Sequence, residues 1–153
     1  MRRRSGLAVL VVSAPLALGF LLSVRKRYLI TTVDGPSMEP ALRSGDRLLV
    51  RKTNRLRKGQ IAVFAFPDRP GDDPDAPRQL LIKRVVAVPG DRVPTAWGGP
   101  GLRNVSGMAV PPHSFVVLGD NRATSWDSRH YGFVRMDRLA GVAIRRLSHP
   151  RVR

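Results

Sequence analysis

Few residues of this chain have the type and setting to do chemistry, and the first is Ser37, within Gly35-Pro36-Ser37-Met38-Glu39-Pro40. Glycine and proline around a serine force a sharp chain reversal. That exposes the hydroxyl and aims nearby N–H groups at one point, the local geometry that an activated serine and an oxyanion site require. Gly-Pro-Ser is also an ordinary turn, so this segment does not decide the matter alone. The second residue is Lys83, within Leu80-Leu81-Ile82-Lys83-Arg84-Val85-Val86-Ala87-Val88-Pro89-Gly90-Asp91. A lysine in an apolar strand either reaches water along its stem or is buried with a lowered pKa. Arg84 must point to the opposite face by strand alternation, so one of the two faces inward if the other is solvated. The third feature is the polar stretch Gly119-Asp120-Asn121-Arg122-Ala123-Thr124-Ser125-Trp126-Asp127-Ser128-Arg129-His130-Tyr131-Gly132, directly after an apolar run at 115–118. Such density predicts an ordered, hydrogen-bonded turn, in which Asp127 and Arg129 can form a bidentate clamp.

Other chemistries find little support. There is no cysteine, which removes disulfides, thiolate metal sites and a cysteine nucleophile together. His113, His130 and His149 carry no triad signature, and no two sit at metal-ligand spacing. The aspartates of 67–77 (PDRPGDDPDAP) do not have the spacing of a calcium loop and lie among prolines, so this reads as a solvated loop tip. The glycines of 94–111 lack the strand-to-helix setting of a phosphate-binding loop, and that stretch is expected to be a connection. The sequence implies neither a metal nor a cofactor.

The elements that must position these residues read as strands. With 153 residues the chain has room for one domain, and its 14 glycines and 13 prolines suit short strands and turns. Apolar runs at 28–33, 47–51, 60–66, 79–88, 114–118 and 141–147, each bounded by turn residues, predict an all-β antiparallel sandwich or open barrel. Helical turns are expected only at 38–42 and 136–140. Ahead of these, residues 7–24 carry no charge and are flanked by Arg2-Arg3-Arg4 and Arg25-Lys26-Arg27. Eighteen such positions are about the minimum for a membrane span. A cleavable secretory signal has the same outline, but no small-x-small site follows the apolar run. The resulting division is a basic segment 1–6, a transmembrane anchor 7–24 and a domain 25–153. Net charge is +16, which would attract anionic lipid or nucleic acid alike. Beside an anchor, lipid is the nearer partner. Nucleic acid has only charge in its favour, with no stacking platform or recognised motif, and an arginine-rich composition can also reflect codon usage alone.

Taken together, GPSMEPAL, GDRLLVRK, IKRVVAVPGD and GDNRATSWDSRHYGFV, in that order and spacing, resemble the type I signal peptidases, a family of serine–lysine proteases. The likeness is greatest to short members from Gram-positive bacteria and the mitochondrial inner membrane. The resemblance implies Ser37 as nucleophile and Lys83 as general base. Met38 matches a packing position beside the serine. Gly119, Asp120 and Asn121 match the turn that shapes the site, while Ser125, Asp127 and Arg129 match supports of the lysine. Gly35 stands where Gram-negative relatives carry a hydroxyl residue that helps bind the oxyanion. Val33, Leu81 and Ile82 would flank a substrate bound as an extended strand. The implied enzyme is a membrane-bound serine endopeptidase cutting signal or leader peptides from exported preproteins after small residues. Its N-terminus would be cytoplasmic and its catalytic domain outside, with oligomeric state left open. A maturation protease dedicated to one precursor, or a non-catalytic binding domain of the same fold, would share these boxes.

Overall fold

The computed structural model describes residues 25–65, 79–97, 100–103 and 106–148. The predicted anchor 7–24 and the loop 67–77 lie outside these. Among the described residues no helix is long and apolar enough to cross a membrane.

Seven strands form the architecture: β1 (Tyr28–Thr32), β2 (Arg47–Arg51), β3 (Ile61–Ala65), β4 (Leu80–Ala87), β5 (Ser114–Leu118), β6 (Val134–Arg135) and β7 (Leu139–Ser148). They make one sheet in the order β1-β2-β7-β3-β4-β5-β6, with every neighbouring pair antiparallel. The all-β expectation therefore holds in its open form: a single sheet curled into a half-barrel rather than two stacked layers. Register shifts in the β2–β7, β3–β7 and β4–β5 ladders help bend it, because a bulge raises local twist.

Period-two alternation decides which core each residue joins. On β3, Val63 enters a cluster with Val33, Met38, Leu42, Leu48, Val50 and Ile82. Its neighbours Ala62 and Phe64 enter another with Val85, Phe115, Val117 and Val134, in which the Phe64 and Phe115 rings meet edge-on with centroids 5.8 Å apart. β3 is thus buried on both faces, which explains its unbroken apolar run.

One local reading is corrected, and two short elements add to those expected. The stretch 94–111 is more than a connection. It holds a 3-10 turn (Thr95–Trp97) and a short helix α1 (Pro100–Arg103), and its Leu102 and Val110 pack with Ala87, Val93 and Val116. A second short helix, α2 (Ser128–Tyr131), and the two-residue strand β6 are too brief to leave a periodic signal. The expected turn at 136–140 is a 3-10 turn, Met136–Arg138, leading into β7.

β7 threads between β2 and β3 and depends on Gly141, where a Cβ would overlap the Arg51 carbonyl oxygen and sit 2.9 Å from Val50 Cγ1. Gly141→Ala should therefore destabilise the domain by about 1–3 kcal/mol, read as a lower thermal midpoint of unfolding.

Candidate active site

The chain around Ser37 is a closed loop. Val33 N–H donates to Asp46 O (2.8 Å) and Gly45 N–H donates to Val33 O (2.8 Å), pinning its two ends beside each other. Within it Gly35 takes φ 79°, a left-handed conformation suited to glycine. Leu42 N–H donates to Met38 O (2.9 Å), closing the single helical turn expected there. Met38 is fully buried and, with Val33 and Leu42, roots the loop in the core. Asp46 was not singled out from the sequence, yet its buried carboxylate accepts from Arg43 N–H (2.9 Å) and Arg146 Nη1 (3.3 Å), tying this loop to β7. Its signal was only a Gly-Asp pair ahead of an apolar run.

Lys83 comes from β4, where it stands opposite Ala62. β5 accompanies β4 only as far as Arg84, which pairs with Leu118, so the β5-side edge of residues 80–83 is uncovered. The Ser37 loop docks there. Lys83 is 5% exposed, and its Nζ lies 2.5 Å from Ser37 Oγ. Of the two fates open to a lysine in an apolar strand, burial is realised. Arg84, on the opposite face, is the solvated partner. Burial lowers the Lys83 pKa by penalising the ammonium, and the negative charge of Asp127 opposes that shift without cancelling it.

The polar stretch after β5 completes the site. Asn121 N–H donates to Ser37 O (3.1 Å), joining this turn to the serine loop. Gly119 fills a space that admits no side chain: a Cβ there would stand 2.5 Å from both Ser37 O and Ser125 Cβ, and nearer still to Ser125 Oγ. Asp120 accepts from Arg84 Nε (2.7 Å) and Nη2 (2.6 Å), while Arg84 Nη1 donates to Gly59 O (2.8 Å). Arg84 is thus a site-building residue that the sequence reading considered only for the direction it faces.

The expected Asp127–Arg129 clamp is present, with Nε 2.9 Å from Oδ1 and Nη2 3.0 Å from Oδ2. Asp127, fully buried, also caps α2 by accepting from Arg129 N–H and takes Gly119 N–H at 3.0 Å. Burial alone would raise its pKa, but these bonds, led by Arg129, outweigh it and hold the carboxyl below the usual range. Ser125 differs from expectation in one respect. Its buried hydroxyl makes no hydrogen bond to the Lys83 amine; it packs against Gly119 and helps hold the Asp127 carboxyl below its usual range.

A cleft of about 80 Å³ opens beside Ser37 and Lys83, between the chain leaving β1 (32–34) and the start of β4 (79–82). Val33, Leu81 and Ile82 line it. A hydroxyl against a buried amine, at the end of a cleft walled by two extended segments, is suited to attack on the carbonyl of a bound extended chain.

Comparison with known proteins finds similarity over most of the chain. The family model described as "Signal peptidase, peptidase S26" matches residues 5–100 and 95–147. The chain is 34% identical over 156 residues to a probable signal peptidase I-2 of Synechocystis, covering 88% of this chain and 68% of that one. It is 32% identical over 142 residues to signal peptidase I of Bacillus caldolyticus, covering 71% and 73%. It is also 34% identical over 135 residues to the mitochondrial ATP-independent inner membrane protease subunit 1a of Arabidopsis thaliana, covering 85% and 77%.

The buried amine has a consequence for stability. A base whose folded-state pKa is depressed opposes folding at every pH below that value, and the opposition fades as pH rises toward the ordinary lysine value of about 10.5. Lys83→Met should therefore raise the thermal midpoint at neutral pH, with the gain shrinking as pH approaches 10.5. Melting curves of both proteins across that range check the sign.

Proposed function

The chain belongs to the signal peptidase family, peptidase S26, and we propose that it cuts with Ser37 as nucleophile and Lys83 as general base. It is a serine endopeptidase that removes signal peptides from preproteins. The observation that carries the residue assignment is the 2.5 Å contact between Ser37 Oγ and an amine that burial drives toward its neutral form. A neutral Nζ takes the hydroxyl proton as Oγ attacks the scissile carbonyl carbon. The resulting ammonium gives that proton to the leaving amine when the C–N bond breaks, leaving an acyl ester on Ser37. Neutral again, Nζ accepts a proton from the water that hydrolyses the ester. This is the serine–lysine form of nucleophile and base acting as a pair.

The Ser37 N–H donates to no group among the described residues and is available to the oxyanion. Gly35 offers no hydroxyl there, and its own N–H is turned to Ser44 Oγ at 3.3 Å. Substrate lies in the cleft as an extended strand, with Val33, Leu81 and Ile82 beside the residues preceding the cut.

The enzyme works at a membrane. Residues 7–24 are its single span, the N-terminus is cytoplasmic and the catalytic domain is outside. Ser37 follows Val24 by thirteen positions, which keeps the site near the bilayer surface where a membrane-inserted signal peptide emerges.

In detergent, the full-length protein is expected to cut a model preprotein after Ala-x-Ala. Ser37→Ala and Lys83→Met should each lower kcat/KM by about a thousandfold or more while remaining folded. Because the reacting amine must be neutral and burial lowers its pKa, wild-type kcat/KM should rise with pH through a midpoint below 10.5. Undiminished cleavage by folded Lys83→Met would overturn the assignment of the base.

A further inference from the structure

Most carboxylates of the described fold are already bound. Asp46, Asp120, Asp127 and Asp137 each pair with an arginine, and Asp91 accepts from Val88 N–H in its own turn (3.0 Å). Asp34 is different. It is exposed, has no ion-pair partner among the described residues, and lines the cleft beside Ser37. Arg47, opposite Thr32 in the β1–β2 ladder, makes no ion pair with it. The other ionisable side chain lining the cleft is Lys83, which is buried and driven toward its neutral form. With that amine neutral, Asp34 supplies the charge of the cleft wall among the described residues.

Which part of a bound chain meets Asp34 follows from the strand pleat. Val33 turns both its main-chain groups toward the segment 45–46, where its N–H donates to Asp46 O and its carbonyl accepts from Gly45 N–H. Strand alternation therefore turns the main-chain groups of Thr32 and Asp34 to the opposite edge, the one that borders the cleft. Side chains alternate too: Val33 is buried with Met38 and Ile82, while Thr32 and Asp34 stand on the exposed face. An extended chain laid along this edge sends every second side chain to the Val33 face and those between to the Asp34 face. In a site of the form Ala-x-Ala the two alanines take the Val33 face, and x stands with Asp34.

We infer that Asp34 is a specificity-determining residue, which favours a lysine or arginine at x and disfavours an aspartate or glutamate. This rests on the proposed function, in which the cleft holds the residues preceding the cut. The preference runs against the field of the molecule as a whole, because a net charge of +16 attracts acidic chains. A preference for a basic side chain at x therefore has its source at the cleft.

The test uses the full-length protein in a non-ionic detergent and three otherwise identical preproteins, with Ala-Lys-Ala, Ala-Gln-Ala or Ala-Glu-Ala before the cut. Wild-type kcat/KM should be greatest for lysine and least for glutamate, with about fivefold between them, the size expected of an exposed charge pair. That ratio should shrink at about 1 M salt, where the screening length is about 3 Å. It should fall to one or below in Asp34→Asn and invert in Asp34→Lys. A wild-type ratio of one or less, or a ratio that Asp34→Asn leaves unchanged, overturns the inference while cleavage itself upholds the proposed function. Wild type that cuts none of the three preproteins overturns the proposed function, and the preference with it.

Discussion

A lysine can face a serine hydroxyl as a neutral amine only where water and unbalanced negative charge are both kept away from it. At Lys83 the first condition is met by burial, with the amine against Ser37 Oγ at 2.5 Å. The second is harder, because the turn packed beside the site carries two aspartates, and one of them, Asp127, acts on the amine directly. Each is bound by an arginine: Asp120 by Arg84, and Asp127 by Arg129. Had Asp127 faced the lysine unpaired, Coulomb attraction would have favoured the ammonium more strongly, as its opposing influence on Lys83 shows. The Arg129 pair therefore serves the chemistry by neutralising an acid that the turn needs for its own hydrogen bonds to Gly119 and Arg129 N–H.

That requirement accounts for much of the architecture around the site. Ser37 and Lys83 are 46 positions apart and come from different edges of the chain's path. What brings them together is the departure of β5 from β4 after Arg84, which leaves an edge free and sends 119–121 across to the serine loop. Gly119 has to be glycine for that crossing, since Ser37 O and Ser125 lie where a side chain would go. Arg84 fastens the crossing from the other side of β4, through Asp120 and Gly59. The strand that carries the proposed base thus also carries the residue that clamps the turn next to it.

Strands were legible wherever burial imposed a pattern: five of the expected runs contain an observed strand of five or more residues within a residue of their bounds, and 141–147 lies inside β7. β6, α1 and α2 were not legible because two to four residues cannot express a period. In the site, residue identity was legible but contact was less so. The Asp127–Arg129 clamp could be read from charge and spacing, and the opposite facing of Lys83 and Arg84 from alternation. Which of those two was buried could not, because it depends on where β5 ends. Asp46 and the Arg84–Asp120 pair escaped for the same reason, their partners lying far away in sequence. Ser125, matched to a support of the lysine, packs against Gly119 and acts on Asp127 rather than bonding the amine itself.

The most direct measurement is an NMR titration of the Lys83 side-chain nitrogen in the folded full-length protein, assigned by its loss in Lys83→Met. The account predicts a midpoint below the ordinary lysine value of about 10.5, moving with the burial that causes it. A Lys83 that titrates at or above that value in the folded protein would mean that the amine is an ammonium at working pH, and the proposed base would be contradicted.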